Sequence, residues 1–552
     1  MGGSHESASL CYPMPSFSSS PFEKKSIPTH VLGGNTANAL DRRHISTYNL
    51  LISSFSGGTP LSNDIYIIAA FILYLLAMMG IGVYHYRRTH NMADYILGNR
   101  RLGAWVTSMS AEASDMSGWM LMGLPGYAYV AGLNAGWIAL GLALGTFANW
   151  KFIATRLRQY TELANNSLTL PDFFRNRYHD NSNLLRIIPA IFILIFFIIY
   201  TSSGFVASGK LFETIFGLSY TYSLLLGAFV VVFYTFVGGF LAVCWTDFIQ
   251  GVMMFFAILI VPTAGAIALG GITPTLDGLY AMAPSFFDPF VKPDGSTLSV
   301  IEFISLMGWG LGYFGQPHIL VRFMAINSSR ELGQATRIAM TWVAISLSAA
   351  VLVGTVGKVY LTAPLSGADC ETVFLVMTNT IFSPFVAGIV LSAVLAAIMS
   401  TSSAQLLVAA SAFAQDFYHT LFKKDAETKE LVWVSRFSVL VIAAIAITLG
   451  LNPQNLILDI VAYAWAGFGS AFGPALLASL FWRRATRNGV LAGIITGGVT
   501  VLVWKQFAFW GLYEIIPGFF FASLAIFIVS KFDQEPSPEI TATFDAVERS
   551  NI

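Results

Sequence analysis

Apolar windows of roughly 20 residues recur along this chain from residue 65 onward, and each is long enough to cross a bilayer as a helix. We count about thirteen such windows. Charged residues make up only 11% of the chain, against about 25% in an ordinary globular domain. The pattern therefore predicts an all-α polytopic membrane protein embedded in a lipid bilayer. A formal net charge of zero indicates no basic surface of the kind that binds nucleic acid, so no nucleic-acid partner is expected.

The distribution of polar and basic residues predicts the domain organisation. Residues 1–63 are rich in Ser, Gly and Pro without periodicity, which predicts a disordered leader. A transmembrane domain is expected over residues 64–534 and a cytoplasmic tail over 535–552. Lys and Arg concentrate in cytoplasmic loops, and here they follow the odd-numbered spans, which predicts an N-terminus outside and a C-terminus inside. These basic residues are Arg87, Arg88, Arg100, Arg101, Arg156, Arg158, Arg175, Arg177, Arg330, Lys423, Lys424, Arg483, Arg484 and Arg487.

The second predicted span, residues 104–131, contains two carboxylates, Glu112 and Asp115, followed closely by Ser117 and Gly118. A charge near the bilayer centre costs at least ~3 kcal/mol, and such residues usually face a cavity or pathway. A helix interrupted there would free carbonyl groups, which membranes tolerate only against protein or water. An acid beside an interrupted helix is typical of an ion site. The alternative is an acid paired with a basic group for structure alone.

The seventh predicted span, residues 299–324, includes four glycines and Pro317 within residues 308–317. Glycine costs a helix up to ~1 kcal/mol and proline ~3 kcal/mol, so a second interrupted helix is predicted. Trp309, Tyr313 and Pro317 recur at i, i+4 and i+8, close to one face of an α-helix, which suits a small ligand with an apolar body. A tightly packed helix, in which glycine only permits close approach, is the alternative.

The two interrupted spans occupy corresponding positions in two halves of the chain, about 104–270 and 299–482. The second and seventh spans are oppositely oriented, as two inverted five-helix repeats require. Such pairs of interrupted segments are the best sequence indication of a transporter's binding site. In the ninth span, residues 384–415, Ser400 and Thr401 place hydroxyls deep in an apolar stretch, which suits a hard cation. Those hydroxyls could instead bond back to the preceding helical turn.

Four stretches, residues 110–126, 308–318, 395–407 and 463–469, closely resemble the sodium/solute symporter family. The strings Asp115-Met-Ser-Gly-Trp119 and Gly312-Tyr-Phe-Gly-Gln-Pro-His318 resemble its bacterial sodium/proline branch, and the likeness covers about residues 65–531. The resemblance implies a LeuT-like core of helices 2–6 and 7–11. It also implies import of L-proline with Na⁺ across the plasma membrane by alternating access, in a protein that functions as a monomer.

The same resemblance implies roles for individual residues. Sodium would be bound by the carbonyls of Ala113, Met116 and Ala397 and the hydroxyls of Ser400 and Thr401, with Asp115 supplying negative potential. Proline would be bound by Tyr200, Trp309, Tyr313 and Pro317, beside the segment Ser117, Gly118 and Trp119. Arg100 and Asp247 would serve coupling and cytoplasmic gating.

Two acids depart from the family pattern. Glu112 and Asp459 stand where the proline members have small or uncharged residues, which puts pure sodium selectivity in doubt. Glu112 lies three residues before Asp115 and would share roughly its face, so it would be protonated or exposed to the cytoplasmic vestibule. Three other functions stay open: a related carrier for a sugar, pantothenate or sialic acid; a sensor built on the fold; and a membrane enzyme. An enzyme is not expected, because no nucleophile–base pair stands out.

Overall fold

The structure is a computed structural model that describes residues 60–86, 92–237, 239–292 and 294–550. Within those residues the chain is helical apart from loops and two isolated bridges, Leu102 with Ile326 and Val291 with Thr297. The leader predicted over 1–63 falls almost wholly outside the described residues, and the first described helix begins at Pro60.

The helices of the first half of the chain include Ala104–Asp115, which contains the two acids. They are α1 Pro60–Tyr86, α2 Met92–Leu97, α3 Ala104–Asp115, α4 Leu124–Ala131, α5 Gly136–Ala148, α6 Ala154–Leu163, α7 Leu170–Arg177, α8 Leu184–Phe216, α9 Tyr220–Val237, α10 Phe240–Ala268 and α11 Ile272–Met282. Short π-helical segments join α3 to α4 and α5 to α6, at Trp119–Gly123 and Asn149–Ile153. Short 3₁₀ segments lie at Gly98–Arg100, Gly132–Ala135 and Pro284–Phe287.

The second half begins with another interrupted pair of helices. Its helices are α12 Val300–Met307, α13 Pro317–Ala325, α14 Leu332–Tyr360, α15 Val373–Ile381, α16 Pro384–Ser411, α17 His419–Leu421, α18 Thr428–Gly450, α19 Ile457–Phe481, α20 Arg487–Phe507, α21 Ile515–Phe532 and α22 Pro538–Ser550. The 3₁₀ segments are Gly308–Gly315, Ser329–Glu331, Gly367–Thr372 and Phe509–Gly511, and Ala412–Tyr418 is π-helical.

Ten helical segments in the described part of the chain are long and apolar enough to cross a membrane. The all-α polytopic class is therefore confirmed, but the number of thirteen spans is not. Tyr220–Phe236 and Val300–Gly315 are apolar but shorter, and the predicted second span is divided after Asp115. In these three predicted spans the continuous helix is shorter than the apolar stretch of sequence.

The second predicted span is interrupted where Asp115 ends α3. Met116 has φ −85° and ψ 81°, outside the helical region, and the chain returns to helical backbone at Gly118, with φ −51° and ψ −24°. A β-carbon at Gly118 would lie 2.8 Å from the Ala207 Cβ on α8. Ser117 therefore lies in the break, whereas Gly118 starts the next helical turn and allows α8 to pack closely against it.

The seventh predicted span changes its winding before it breaks. A capping box formed by Ser299 and Glu302 starts α12, and the glycine-rich run Gly308–Gly315 then winds as a 3₁₀-helix. Gln316 is extended, with φ −81° and ψ 106°, and α13 begins at Pro317. The 3₁₀ winding has about three residues per turn, so the predicted i, i+4, i+8 alignment of Trp309, Tyr313 and Pro317 on one α-helical face does not apply.

The last described helix, α22, packs against the end of the molecule that bears the basic loops. Phe544 is 3% exposed, and the guanidinium groups of Arg156 and Arg177 lie 5.6 and 5.5 Å from its ring centroid. Arg483 forms a salt bridge with Asp545 at 2.8 Å. Residues 538–550 of the predicted tail are therefore an amphipathic helix attached to the transmembrane domain.

Candidate functional site

Oxygen atoms from α3 and α16 meet beside the break in the second span. The Ser117 N–H donates to the Asp115 carbonyl at 3.0 Å rather than to the Ala113 carbonyl, which would be its partner in a continuous α-helix. The Ala113 carbonyl instead accepts from the hydroxyls of Ser400, at 2.7 Å, and Thr401, at 3.3 Å. Ser400 Oγ also lies 3.1 Å from the Ala397 carbonyl.

Four of the five predicted sodium ligands are thus brought together, and all four residues are buried. The fifth, Met116, is the residue at which α3 ends. Hydroxyl and carbonyl oxygens are ligands for hard cations. A cation in this group would replace the hydrogen bonds that Ser400 and Thr401 now donate to the Ala113 carbonyl.

Asp115 connects this oxygen group to the other interrupted helix. Tyr313, in the 3₁₀ segment, donates its hydroxyl to Asp115 Oδ2 at 2.6 Å. The Asp115 carbonyl accepts from Trp119 Nε1 at 3.0 Å and lies 3.5 Å from the Tyr200 hydroxyl. The other carboxylate oxygen, Oδ1, has no hydrogen-bond partner among the described residues. Asp115 therefore keeps one acceptor available beside the helix break.

Aromatic rings surround the same break. The Trp119 and Trp309 ring centroids are 6.4 Å apart, and those of Trp309 and Tyr513 are 5.7 Å apart. Tyr313 meets Trp465 edge to face at 4.9 Å, and Trp465 Nε1 donates to the Trp309 carbonyl at 2.7 Å. These side chains form a buried aromatic wall that can bind an apolar ring and still offer polar groups at its edges.

Pro317 lies apart from that aromatic wall. It lines a small cavity of about 20 Å³ with Leu170, Val321, Met324 and Ser411, among others. None of the other predicted proline-binding residues lines this cavity. The volume is enough for about one water molecule. The change to 3₁₀ winding and the extended Gln316 separate Pro317 from Trp309.

Asp247 takes part in a buried network that joins three helices. Its Oδ2 accepts from Ser110 Oγ of α3 at 2.8 Å and forms a salt bridge with Arg322 Nη2 of α13 at 3.0 Å. Arg322 also donates to Ser110 Oγ at 3.1 Å and to the His318 carbonyl at 2.5 Å. Arg322 is 1% exposed and Asp247 is fully buried. A buried charge of this kind requires a partner, and losing either partner is strongly destabilising.

Arg100 lies on the side of the molecule that carries the basic loops. Its guanidinium donates to the Met324 carbonyl at 2.5 Å, to the Ser167 carbonyl at 3.0 Å and to Asn166 Oδ1 at 3.0 Å. Burial and the neighbouring Arg158 charge lower the pKa of Arg100 to about 10. Arg158 donates to the Ile326 carbonyl at 2.8 Å. Two cations thus bind carbonyl groups at the C-terminal end of α13, where the helix dipole favours them.

The sodium:solute symporter family matches the chain over residues 95–497. The chain belongs to the sodium:solute symporter family. Sodium is the co-transported ion that this membership indicates. The chain is 50% identical to the sodium/proline symporter of Escherichia coli over 482 residues, which is 86% of this chain and 95% of that relative. It is 47% identical to the osmoregulated proline transporter of Bacillus subtilis over 490 residues, which is 88% of this chain and 99% of that relative.

A solved structure of the same fold is that of a Na⁺-coupled sialic acid symporter in a substrate-bound outward-open state. It is 19% identical to this symporter, covers 86% of this chain and 99% of its own, and superposes with a TM-score of 0.70. At that identity the likeness concerns the fold alone, and it supports the LeuT-like core that the family resemblance implied.

Several residues in the central region of this symporter were not predicted from the sequence to be functional. Trp465 and Tyr513 complete the aromatic wall, and Arg322 binds Asp247. Arg322 could have been noticed, because it is a lone cation in the apolar helix Pro317–Ala325. His318, the second residue of α13, is fully buried, with its ring centroid 5.9 Å from that of Tyr200.

The carboxylate of Glu112 contacts Trp150, whereas that of Asp115 contacts Tyr313. Glu112 Oε1 accepts from Trp150 Nε1 at 2.9 Å, while Oε2 has no partner among the described residues. Glu112 is only 2% exposed, so the predicted alternative of exposure to a cytoplasmic vestibule is not what the structure shows. The Trp150 ring also packs on Phe323 of α13, with centroids 4.5 Å apart.

Proposed function

We propose that this chain is a symporter that carries L-proline inward with Na⁺ by alternating access. The observation that carries the proposal is the meeting of α3 and α16 at the helix break, where the Ala113 carbonyl faces the Ser400 and Thr401 hydroxyls. The choice of proline is supported by the names of the two bacterial relatives that are 50% and 47% identical.

Sodium, in this proposal, binds the carbonyls of Ala113, Met116 and Ala397 and the hydroxyls of Ser400 and Thr401, while Asp115 supplies the negative potential. The hydrogen bond from Tyr313 to Asp115 then gives a direct route for coupling. A cation beside Asp115 changes the field on the tyrosine hydroxyl that faces the substrate. Sodium would thereby hold the two interrupted helices in the arrangement that completes the proline site.

Proline would lie against the aromatic wall next to the break. Trp309 and Tyr313 offer apolar surface to its ring, with Tyr200 on the opposite side. The helical turn that begins after Ser117, at Gly118 and Trp119, presents its N-terminal end, and such ends favour a carboxylate. Pro317 belongs to the proposed proline site by family resemblance alone, because it lies apart from the aromatic wall.

The remaining parts of the proposal concern topology. The transporter domain would occupy residues 64–534, with inverted repeats at about 104–270 and 299–482, between a leader and a tail at 535–552. Basic loops following the odd-numbered spans support an N-terminus outside and a C-terminus in the cytoplasm of a bacterial cell. Arg100 and Asp247 would act in gating at the cytoplasmic side, and the monomer would be the functional unit in the plasma membrane.

Uptake of labelled proline into proteoliposomes tests the proposal. We expect accumulation when Na⁺ is imposed as an inward gradient, further increase with an interior-negative potential, and none when K⁺ replaces Na⁺. The potential supplies about 2.3 kcal/mol per charge per 100 mV. Accumulation that is indifferent to Na⁺, or inhibition by unlabelled sialic acid or pantothenate but not by proline, would contradict it.

Asp115→Asn provides the matched test of the sodium site. It retains the shape of the side chain but removes its charge, so sodium-dependent uptake should fall at least about tenfold while the protein still reaches the membrane. Asp277→Asn is the control, because Asp277 is exposed on α11. Sodium dependence that is the same in both variants would remove Asp115 from its proposed role.

A further inference from the structure

An apolar groove opens on the exposed side of the helix bundle, between α3, α10 and α14. It has a volume of about 580 Å³. Its walls include Trp105 of α3, Phe248 and Phe256 of α10, and Trp342 of α14, and Arg337 lies at one end. Trp105 is 57% exposed and Phe256 is 56% exposed, so the groove faces the surroundings of the protein rather than its interior. It is separate from the residues around Asp115.

The end of the groove that carries Arg337 lies at the surface with the basic loops. Arg337 is in the second turn of α14, which begins at Leu332. The start of α3 is attached to the same loop, because the Ala104 N–H donates to Glu331 Oε2 at 3.0 Å and Leu102 pairs with Ile326. Trp105 and Arg337 therefore stand together near one membrane–water boundary, and the apolar walls continue from there into the membrane.

Arg337 is exposed and forms no salt bridge with any residue that the structure describes. Two other arginines at this surface are paired, Arg158 with Glu162 and Arg487 with Asp180, whereas exposed Arg330 has no salt bridge among the described residues but does not line the groove. A single unpaired guanidinium at the polar end of an apolar groove matches an amphiphile with one anionic head. The planar guanidinium fork suits phosphate oxygens, and basic pockets between transmembrane helices are known to take anionic lipid heads.

We propose that this groove binds an anionic glycerophospholipid, with its phosphate on Arg337 and an acyl chain along α10 and α14. A second copy of the chain is the poorer occupant, because a two-fold interface brings the same patch together and would set Arg337 close to its own copy. The acyl chain would run beside α14 from Gln334 to Trp342, about 12 Å of helix.

The position of the groove gives the lipid a route to the transport machinery. Met109 lines it and belongs to α3, the helix that ends at Asp115. A β-carbon at Gly251 of α10 would lie 3.1 Å from the Met109 methyl carbon, so the two helices are in close contact there. A bound lipid would touch both the helix of Asp115 and the helix of Asp247.

Native mass spectrometry of the full-length protein tests the proposal, with palmitoyl-oleoyl-phosphatidylglycerol and the matching phosphatidylcholine as probes. We expect the wild type to retain phosphatidylglycerol preferentially and Arg337→Gln to lower that retention about tenfold, since hydrogen bonds to charged groups are the strong ones. Arg337→Lys should recover part of it. Arg330→Gln is the control, because Arg330 is exposed on the same side but does not line the groove.

A second variant keeps the test decisive if Arg337→Gln does not fold. Thr341→Trp fills the groove from an exposed position on α14 and leaves Arg337 in place, and it should also lower phosphatidylglycerol retention. Equal retention by Arg337→Gln and Arg330→Gln would overturn the proposal, and so would a wild type with no preference between the two lipids. A dimer whose contact shields the thiol of a Thr341→Cys variant from a thiol-reactive label would assign the groove to a second copy instead. None of these measurements depends on sodium or proline.

Discussion

Asp115 has different partners on its backbone and on its side chain. The backbone carbonyl accepts from Trp119 within the second span, whereas the carboxylate accepts from Tyr313 in the seventh. A carboxylate that accepts one hydroxyl and has no partner for Oδ1 among the described residues still has an oxygen to offer a cation. The single residue thus belongs to both proposed sites, which is a simple physical basis for coupling.

Two substitutions of Tyr313 should separate these contributions. Tyr313→Phe keeps the ring against Trp465 but removes the hydrogen bond to Asp115, so we expect it to change the half-saturation constant for Na⁺, by about tenfold. Tyr313→Ala also removes aromatic surface and should raise the constant for proline much further. Initial rates of uptake at varied Na⁺ and at varied proline provide both constants.

Tyr127→Phe is the control for that pair, because Tyr127 is a buried tyrosine whose hydroxyl donates to Asn134 rather than to an acid. It should leave the Na⁺ constant nearly unchanged. If Tyr313→Phe and Tyr313→Ala alter both constants by the same factor, the tyrosine acts through general packing and the assigned contact is not important for coupling.

Among the elements, the 3₁₀ segment Gly308–Gly315 depends on unusually close backbone packing. A β-carbon at Gly145 of α5 would lie 2.2 Å from the Gly310 carbonyl oxygen, and one at Gly312 would lie 1.8 Å from Trp465 Nε1. The glycines therefore serve both predicted roles: they weaken the α-helix and they let α5 and α19 approach. The backbone of this segment is therefore packed directly against α5 and against Trp465 of α19.

Gly145→Ala should therefore disturb this element from outside. The added methyl meets a backbone oxygen that cannot rotate away, so we expect a loss of about 1–3 kcal/mol in stability and a higher half-saturation constant for proline. Thermal unfolding in detergent and uptake kinetics measure the two effects.

Gly136→Ala is the matched control on the same helix, because nothing lies within 4 Å of its β-carbon position. Alanine is favoured over glycine in a helix, so this variant should be as stable as the wild type or slightly more stable. A Gly145→Ala protein that behaves like Gly136→Ala would mean that α5 can move away from the 3₁₀ segment without cost.

At the scale of the whole molecule, ion pairs between residues far apart in sequence stabilise the surface that carries the basic loops. Asp180, between α7 and α8, binds Arg487 at the start of α20 at 2.9 Å and accepts from the Leu185 N–H at 2.8 Å. Partial burial opposes ionisation of Asp180, but hydrogen bonds from Ser182, Leu185 and Arg487 outweigh it and lower the pKa of its carboxyl. These bonds attach α20, outside the proposed repeats, to the rest of the protein.

Asp180 should therefore make the stability of the fold depend on pH in the acidic range. Because its folded-state pKa lies below the ordinary value of 3.8, its contribution is complete above that value and is lost as pH falls through the folded-state pKa. Asp180→Asn should unfold at a lower temperature than the wild type at pH 7, and the difference should shrink as pH is lowered below 3.8.

Thermal unfolding in detergent from pH 7 to pH 3 measures this dependence. Exposed Asp277 again supplies the control, since Asp277→Asn should follow the wild type throughout. A difference between Asp180→Asn and the wild type that stays constant over the whole pH range would show that the charge of Asp180 is not what stabilises the surface.

Local features of the sequence were enough to predict where the membrane helices are interrupted. An acid followed by Ser117 and Gly118, and a glycine run that ends at Pro317, both act on the backbone over a few residues. Apolar windows predicted the polytopic class because burying a backbone in lipid requires helices. The motifs at those breaks also pointed to the sodium:solute symporter family, which the comparison with known proteins bears out.

Only the tertiary structure decided which side chains face one another. Tyr313 meets Asp115, Arg322 meets Asp247, and Trp150 meets Glu112 across distant parts of the chain, and no local periodicity carries that information. The 3₁₀ winding of Gly308–Gly315 was likewise set by the packing of α5 and α19. Propensity acts between neighbours in sequence, whereas the path of a weakened helix is settled by whatever packs against it.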